Sequence, residues 1–397
     1  MGLAAFVLFL TAPLPAQWKD PLIARGWDHF YNVEYDEAIA DFQKAVDAEP
    51  VDPMRQNALA QGILYQLMYK AGSLETEYIT GNNPFLRRPK MNPTPEEEKR
   101  FLGAIQATLD ITAARLQRNP QDRTAMYAQG VALGLRGNYN FLVRKAYLDA
   151  LRDVTAGRKL HNRLPELDPQ WADVRLLQGV HDYIVGSLPF AYRFLGFLAG
   201  YTGDKERGIR LLQDVAAHGV MNKVDAEILL GAVYRRERRP KDAIPICLDL
   251  LRRFPRNFLV LFELCQMYAD SGDKNAALAA LDRIDQLKKS GAPGYKNLLP
   301  EKVNFARGNL LFWYNDLDAA IENLRKATGR ARDLDPNTGV MSWLRLGQCY
   351  DLLGRREQAR QAYQAAIAYA PDSDPAREAK RYLNSPYRRT ARQKSTS

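Results

Sequence analysis

The chain has 397 residues, 46% hydrophobic and 26% charged, which is close to an ordinary globular balance. A net charge of +10 admits acidic partners, whether anionic headgroups, nucleic acid or acidic proteins, without choosing among them. Cys247, Cys265 and Cys349 form an odd set with no paired metal spacing, which excludes a disulfide scaffold or a zinc framework.

In chain order, the first stretch is "MGLAAFVLFLTAPLPAQWKD". It carries no charged side chain before Lys19, an apolar core from Leu3 to Leu10, then Pro13, Pro15 and Ala16. Residues 1–16 therefore read as a signal peptide cleaved before Gln17, which places the mature chain in the periplasm or cell envelope. The segment lacks a basic start, has Leu14 where a small residue is usual, and is short for a bilayer span. A buried first helix or an uncleaved anchor, with a cytoplasmic body, is the alternative.

From 17 to 384 a pattern of small and large residues recurs at helical spacing. It begins in 26–50 with Gly26, Ala38, Phe42, Ala45 and the helix-stopping Pro50. Weaker first halves follow at Gly62 and Tyr65, and at Gly130 and Gly137, separated by the Pro- and Asn-rich 81–95, which is predicted to be a long mobile loop. Leu177 and Gly179 open another first helix; Gly208, Leu212 and Val215 mark its partner. The frame is clearest over 224–255 (Leu230, Gly231, Tyr234, Ala243, Cys247, Leu250), 258–288 (Leu264, Cys265, Tyr268, Ala277, Leu281), 301–332 (Gly308, Leu311, Ala320, Leu324, Ala327) and 340–371 (Trp343, Leu346, Gly347, Tyr350, Ala359, Tyr363, Ala366, Pro371). Residues 287–301 form a second candidate loop. Residues 385–397 read as a basic disordered tail.

These spacings resemble the tetratricopeptide repeat, about 34 residues forming two antiparallel helices. The expected fold is all-α: a solenoid of tetratricopeptide-type helix pairs in a right-handed superhelix. The three cysteines fall on packing positions of that frame and are read as core residues.

Residues 183–202, "YIVGSLPFAYRFLGFLAGYT", interrupt one pair with an apolar insertion. Gly186, Pro189, Gly196, Gly200 and a central Arg193 argue against a spanning helix. An interfacial segment on a bilayer remains open, and the favoured reading is a short helix tucked into the superhelix. The stretch containing Gly186, Leu188, Pro189, Gly196, Gly203, Asp204 and Gly208 resembles the signature region of the eukaryotic tetratricopeptide repeat protein 39 family, which includes a yeast inclusion-body clearance protein. The resemblance covers roughly 175–285 and implies a non-enzymatic, adaptor-like protein. An export signal departs from those intracellular relatives.

No catalytic, nucleotide-binding or metal constellation stands out, and no cofactor is expected. His29, His161, His181 and His218 are scattered, and His181 and Asp182, adjacent on a helix, are expected to point apart. The resemblance to tetratricopeptide repeats instead implies a concave wall built from first-helix positions. Arg235, Arg236, Phe262, Lys302, Phe305, Asn309, Phe312 and Trp313 are the candidate partner-binding residues there. Aromatics beside bases suit a protein or peptide partner with apolar anchors and an acidic or terminal carboxylate. The competing reading is that Phe262, Phe305 and Phe312 pack against the next repeat or the insertion. A membrane surface, met by the insertion and the basic tail, is the other candidate partner. The basic run Tyr234 to Lys241 lacks the interleaved aromatics of a single-strand binder and does not point to nucleic acid.

Overall fold

Asp20, Asp52, Thr94, Asp122, Asp204, Asn257, Asp273, Asp335 and Ser373 each cap a helix by accepting a hydrogen bond from a backbone N–H of the first turn. In the computed structural model, residues 20–74, 91–188 and 202–389 are described. The predicted signal 1–16, most of the insertion, most of the 81–95 loop and the end of the tail lie outside those residues.

Every regular element among the described residues is helical. The helices are α1 (Pro21–Tyr31), α2 (Tyr35–Ala48), α3 (Pro53–Lys70), α4 (Pro95–Arg118), α5 (Arg123–Tyr139), α6 (Tyr147–His161), α7 (Leu176–Gly186), α8 (Lys205–His218), α9 (Lys223–Arg236), α10 (Pro240–Arg253), α11 (Phe258–Asp270), α12 (Lys274–Lys289), α13 (Pro300–Trp313), α14 (Leu317–Gly329), α15 (Pro336–Leu352), α16 (Arg356–Tyr369) and α17 (Asp374–Asn384). Consecutive helices pack in pairs from α1/α2 to α15/α16, and α17 caps the stack. The expected all-α solenoid of helix pairs is what the chain forms.

The turn inside a pair repeats a backbone device. Val33, Gly72, Arg238, Gly272, Asn315 and Gly354 all take the left-handed conformation, with φ between 57° and 85°. Lys145 in the α5–α6 turn is left-handed too, at φ 58°, so four of these seven turns hold a side chain in a conformation it disfavours.

Small residues permit the close approach within pairs. A Cβ on Gly347 would lie 2.5 Å from the Tyr363 ring, and one on Gly208 would lie 2.4 Å from the Tyr183 backbone nitrogen. Gly231, assigned to the same small-residue slot, faces open space. Cys247, Cys265 and Cys349 are buried in the core with free thiols, and burial pushes each up to about 12.

First helices of neighbouring pairs pack on one another, as α3 on α5, α13 on α15 and α15 on α17, while second helices of neighbouring pairs pack less closely. First helices therefore line the inner side of the curve. The curve also closes on itself. The α1–α2 turn reaches residues more than two hundred positions away. Arg256 donates to Glu34 at 2.9 Å and to Asp28 at 2.6 Å, and Asn257 donates to the Tyr31 carbonyl at 2.7 Å. The Tyr31 ring lies 5.1 Å from Phe254 at a tilt of 42°, and Tyr69 meets Phe258 edge-on at 6.3 Å. The solenoid is thus more than a chain of nearest-neighbour contacts.

Three expectations need correction. Tyr183–Gly186 belongs to α7, so the insertion starts later than residue 183. The second candidate loop is largely packed: α12 runs to Lys289, and Tyr295 and Leu298 are buried. Gly294 at φ 84° sits where a Cβ would meet the Arg256 carbonyl at 2.2 Å, so this loop is held against the α10–α11 junction. The tail is also shorter than expected, because 385–389 fold back onto the inner face.

Candidate functional site on the inner face

The eight predicted groove residues fall into three groups. Five are interior. Arg235 bridges to the next first helix, donating to Gln266 at 3.1 Å and Asp270 at 3.2 Å. Asn309 accepts from Arg345 at 2.8 Å. Phe262, Phe305 and Phe312 are buried among neighbouring pairs. The physical reason is the packing of first helix on first helix, which turns these positions into an internal seam. Lys302 is half-buried and pairs with Asp335 at 3.1 Å. Arg236 and Trp313 remain open. Arg236 lies 5.7 Å over the Tyr183 ring and borders a shallow polar depression of about 680 Å³ with Ser187, Asp204 and Lys205. Trp313 is 37% exposed, edge-on to Phe312 at 5.1 Å, with the Arg345 guanidinium 4.9 Å from its ring. The structure brings Asn309, Phe312 and Trp313 together around Arg345 and leaves Arg236 apart from them.

At this cluster the inner face already holds an extended segment. Tyr387 is buried, its N–H donates to Asp351 Oδ2 at 2.7 Å, and its ring lies 6.1 Å from Phe312. Arg389 lies 5.0 Å over the Phe312 ring and donates to the Phe312 carbonyl. Asp351 also accepts from the Tyr363 hydroxyl at 2.8 Å and from Arg356 at 2.9 Å. Sequence reasoning missed Asp351, Arg356 and Tyr387 as a unit. The available signal was an aromatic after a proline, Pro386-Tyr387, inside an otherwise basic tail.

A second polar cluster lies where the curve closes. Asp225 accepts from the Tyr31 hydroxyl at 3.2 Å. Burial pushes its carboxyl up to about 7, and the nearby Asp173 adds to the rise against the Tyr31 hydrogen bond. Asp173 itself accepts from the backbone N–H groups of Val220, Met221 and Asn222 at 2.7–3.2 Å, fixing the α8–α9 turn. Asn222 donates to the Tyr127 hydroxyl at 2.7 Å.

His181 and Asp182 come closer than their helical offset implied, with Nδ1 and Oδ1 3.4 Å apart. Arg158 donates to that same Nδ1 at 3.1 Å, which leaves it an acceptor and unable to donate to Asp182. Asp182 is held by Arg207 at 2.6 Å instead. Burial, reinforced by Arg158, lowers the His181 pKa. No proton-relay geometry results. Among the described residues, no group of three or more His, Cys, Asp or Glu side chains could hold a metal ion, and no helix is long and apolar enough to cross a membrane.

Residues 228–292 and 340–373 match family models of the tetratricopeptide repeat. These segments are tetratricopeptide repeats. The matched spans fall on three of the four pairs where the small-residue frame is clearest, leaving out 301–332, and they identify the repeat rather than the narrower tetratricopeptide repeat protein 39 family. Over 179 residues the chain is 26% identical to the human protein O-mannosyl-transferase TMTC1. That match covers 45% of this chain and 19% of the human protein, so the chain spans about a fifth of that relative's length. Among solved structures, yeast Tom70 is 14% identical with a TM-score of 0.41, covering 91% of this chain and 94% of Tom70. A human IFIT1 dimer with m7Gppp-AAAA is 11% identical with a TM-score of 0.46, covering 94% of this chain and 86% of the IFIT1 chain.

Proposed function

We propose that this tetratricopeptide repeat protein is a non-enzymatic interaction scaffold that binds an extended peptide or partner protein on the inner face of its last helix pairs, in the cell envelope. The observation that carries the reading is the segment 385–389 lying on Phe312, a position of the predicted groove, and on Asp351 beside it. Matched repeats over 228–292 and 340–373 support the interaction role, because stacked pairs present a long contact surface without a reactive cleft. Residues 1–16 support the location, and the resemblance over 175–285 supports an adaptor role without adding a partner.

The test is a crosslinking pulldown from envelope fractions with the parent chain and a Trp313→Ala, Arg236→Ala variant. Both residues are open, so the fold should survive, and loss of captured partner by tenfold or more is expected if they anchor it; a tenfold loss corresponds to ~1.4 kcal/mol. Capture unchanged by the double substitution removes the inner face as the binding surface.

A membrane-surface role has one observation of its own. Helix α6 turns Tyr147, Leu148 and Leu151 outward beside Arg152 and Lys159. Flotation with anionic vesicles that disappears on Leu148→Ser, Leu151→Ser would favour that reading over the first.

A further inference from the structure

The segment after α17 is recognised in two distinct ways. Ser385 has extended backbone, φ −132° and ψ 118°, which is the conformation that a following proline favours. The chain then runs through Pro386, Tyr387, Arg388 and Arg389 without regular structure. An acid–base pair ties it down, the base at the last turn of α17 and the acid on the segment's own backbone. Arg356 bonds Asp351 at 2.9 Å and donates to the carbonyls of Tyr382 and Leu383, each at 2.7 Å. Asp351 in turn accepts the Tyr387 N–H. The Asp351 side chain is 1% exposed, so this recognition is made away from water, where such bonds count most.

Its side chains are held by aromatic surface. The Tyr387 ring sits 5.2 Å from Tyr382 and 6.1 Å from Phe312, and the Arg389 guanidinium covers Phe312, whose ring also carries Arg345 at 4.3 Å. A helix cap would need only an apolar lid over the last pair. Here the extended stretch itself presents one backbone N–H, one aromatic ring and one guanidinium, matched in order by Asp351 and Phe312, which is the inventory of a peptide site.

Resting on the reading of the inner face as an interaction surface, we propose that the site formed by Phe312 and Asp351, with Arg356 fixing Asp351, binds a partner peptide carrying Pro-aromatic-x-Arg in extended form, and that 385–389 occupy this site in cis. Partner and tail then compete. A tethered segment acts at an effective concentration of about 1 mM, so a partner peptide binds the closed chain with its affinity reduced by the fraction of open site. Changes that release the tail switch the scaffold to its binding-competent state.

The test uses the full chain. A fluorescein-labelled peptide of residues 384–391, Asn-Ser-Pro-Tyr-Arg-Arg-Thr-Ala, is titrated against the parent and against a Tyr387→Ala, Arg389→Ala variant, with binding read by anisotropy and by Trp313 fluorescence. The variant is expected to bind at least tenfold more tightly than the parent, and a scrambled peptide or one with Tyr replaced by Ala is expected to bind neither. Equal affinity for parent and variant, no binding to either, or equal binding of the scrambled peptide each overturns the proposal and leaves the tail as a structural cap. If the double substitution lowers helicity by circular dichroism, Arg389→Ala alone keeps the buried Tyr387 and gives the same comparison. Failure here, with partner capture still lost on Trp313→Ala, Arg236→Ala, would leave the scaffold standing and remove only the cis competition.

Discussion

The α7/α8 pair and the α9/α10 pair are built from the same small-residue frame and use it in opposite ways. In the first, Gly179 and Gly208 put two backbones in contact, with a Cβ on Gly208 falling 2.7 Å from the Gly179 carbonyl. In the second, Gly231 meets nothing within 4 Å, and Leu230, Val233 and Tyr234 carry the packing. A shared sequence position therefore does not imply a shared physical role. The difference reports how closely each pair of helix axes approaches.

The sharpest way to break this comparison is to add one methyl at each site. Gly208→Ala forces the methyl into backbone that has no room to yield, and a loss of about 3 kcal/mol is expected in chemical denaturation. Gly231→Ala adds the same methyl to open space on a helix, and a gain of about 0.5–1 kcal/mol is expected from backbone entropy. Equal effects at the two sites would show that the pairs do not differ in approach.

The closing contact of the curve can be tested next. Arg256→Met leaves Asp28 and Glu34 without their shared guanidinium while keeping the aliphatic length. A loss of about 1–3 kcal/mol is expected, with faster hydrogen exchange confined to α1 and α2. The exposed pair of Arg239 with Asp242 at 2.7 Å is the control, and Arg239→Met should cost less than about 0.5 kcal/mol.

A smaller effect is expected at Asp225. Its folded-state carboxyl titrates near 7, above the value of about 4 in an unfolded chain, so the native state holds a proton that the unfolded state releases. Stability from this group is present below about pH 4 and is lost as pH rises to about 7. Asp225→Asn should therefore be more stable than the parent at pH 8, by about 1–2 kcal/mol, with the advantage shrinking toward pH 5. A pH-independent difference between the two proteins would contradict the raised carboxyl. The smallest change is expected at Arg238, held at φ 57° in the α9–α10 turn. Arg238→Gly should raise stability by about 0.5 kcal/mol, read as a shift in the denaturation midpoint.

The same contrast explains what could be read from the amino acids. The pairs from α9 to α16 were legible because their contacts are local and apolar: Ala243, Cys247, Ala277, Leu281, Ala320, Leu324, Ala359 and Tyr363 recur on one helix face. Helices α4 and α6 were missed. In α4 the apolar run of Phe101, Ala104 and Ile105 gives way to buried Thr108 and Thr112, and in α6 the buried face is Ala150, Asp153, Gly157 and His161, with no apolar stripe to announce it. Asp153 is buried only because Arg136 and Asn140 satisfy it, a pairing set by tertiary structure. The candidate site was half legible. The frame located Phe312 and Trp313, but the seam between first helices consumes Arg235, Phe262, Phe305 and Asn309. The tail's return to Asp351 and the reach of Arg256 to Glu34 depend on residues distant in sequence, which no local pattern encodes.

The central claim is that the inner face of the last pairs holds an extended strand by its backbone, and the Tyr387 amide tests it most directly. Hydrogen exchange resolved to that amide in the full chain should be slowed about a hundredfold or more relative to an unstructured peptide, and slowed less in Arg389→Ala. Exchange of the Tyr387 N–H at the unstructured rate would contradict the seated segment and, with it, the peptide-binding role assigned to Phe312 and Asp351.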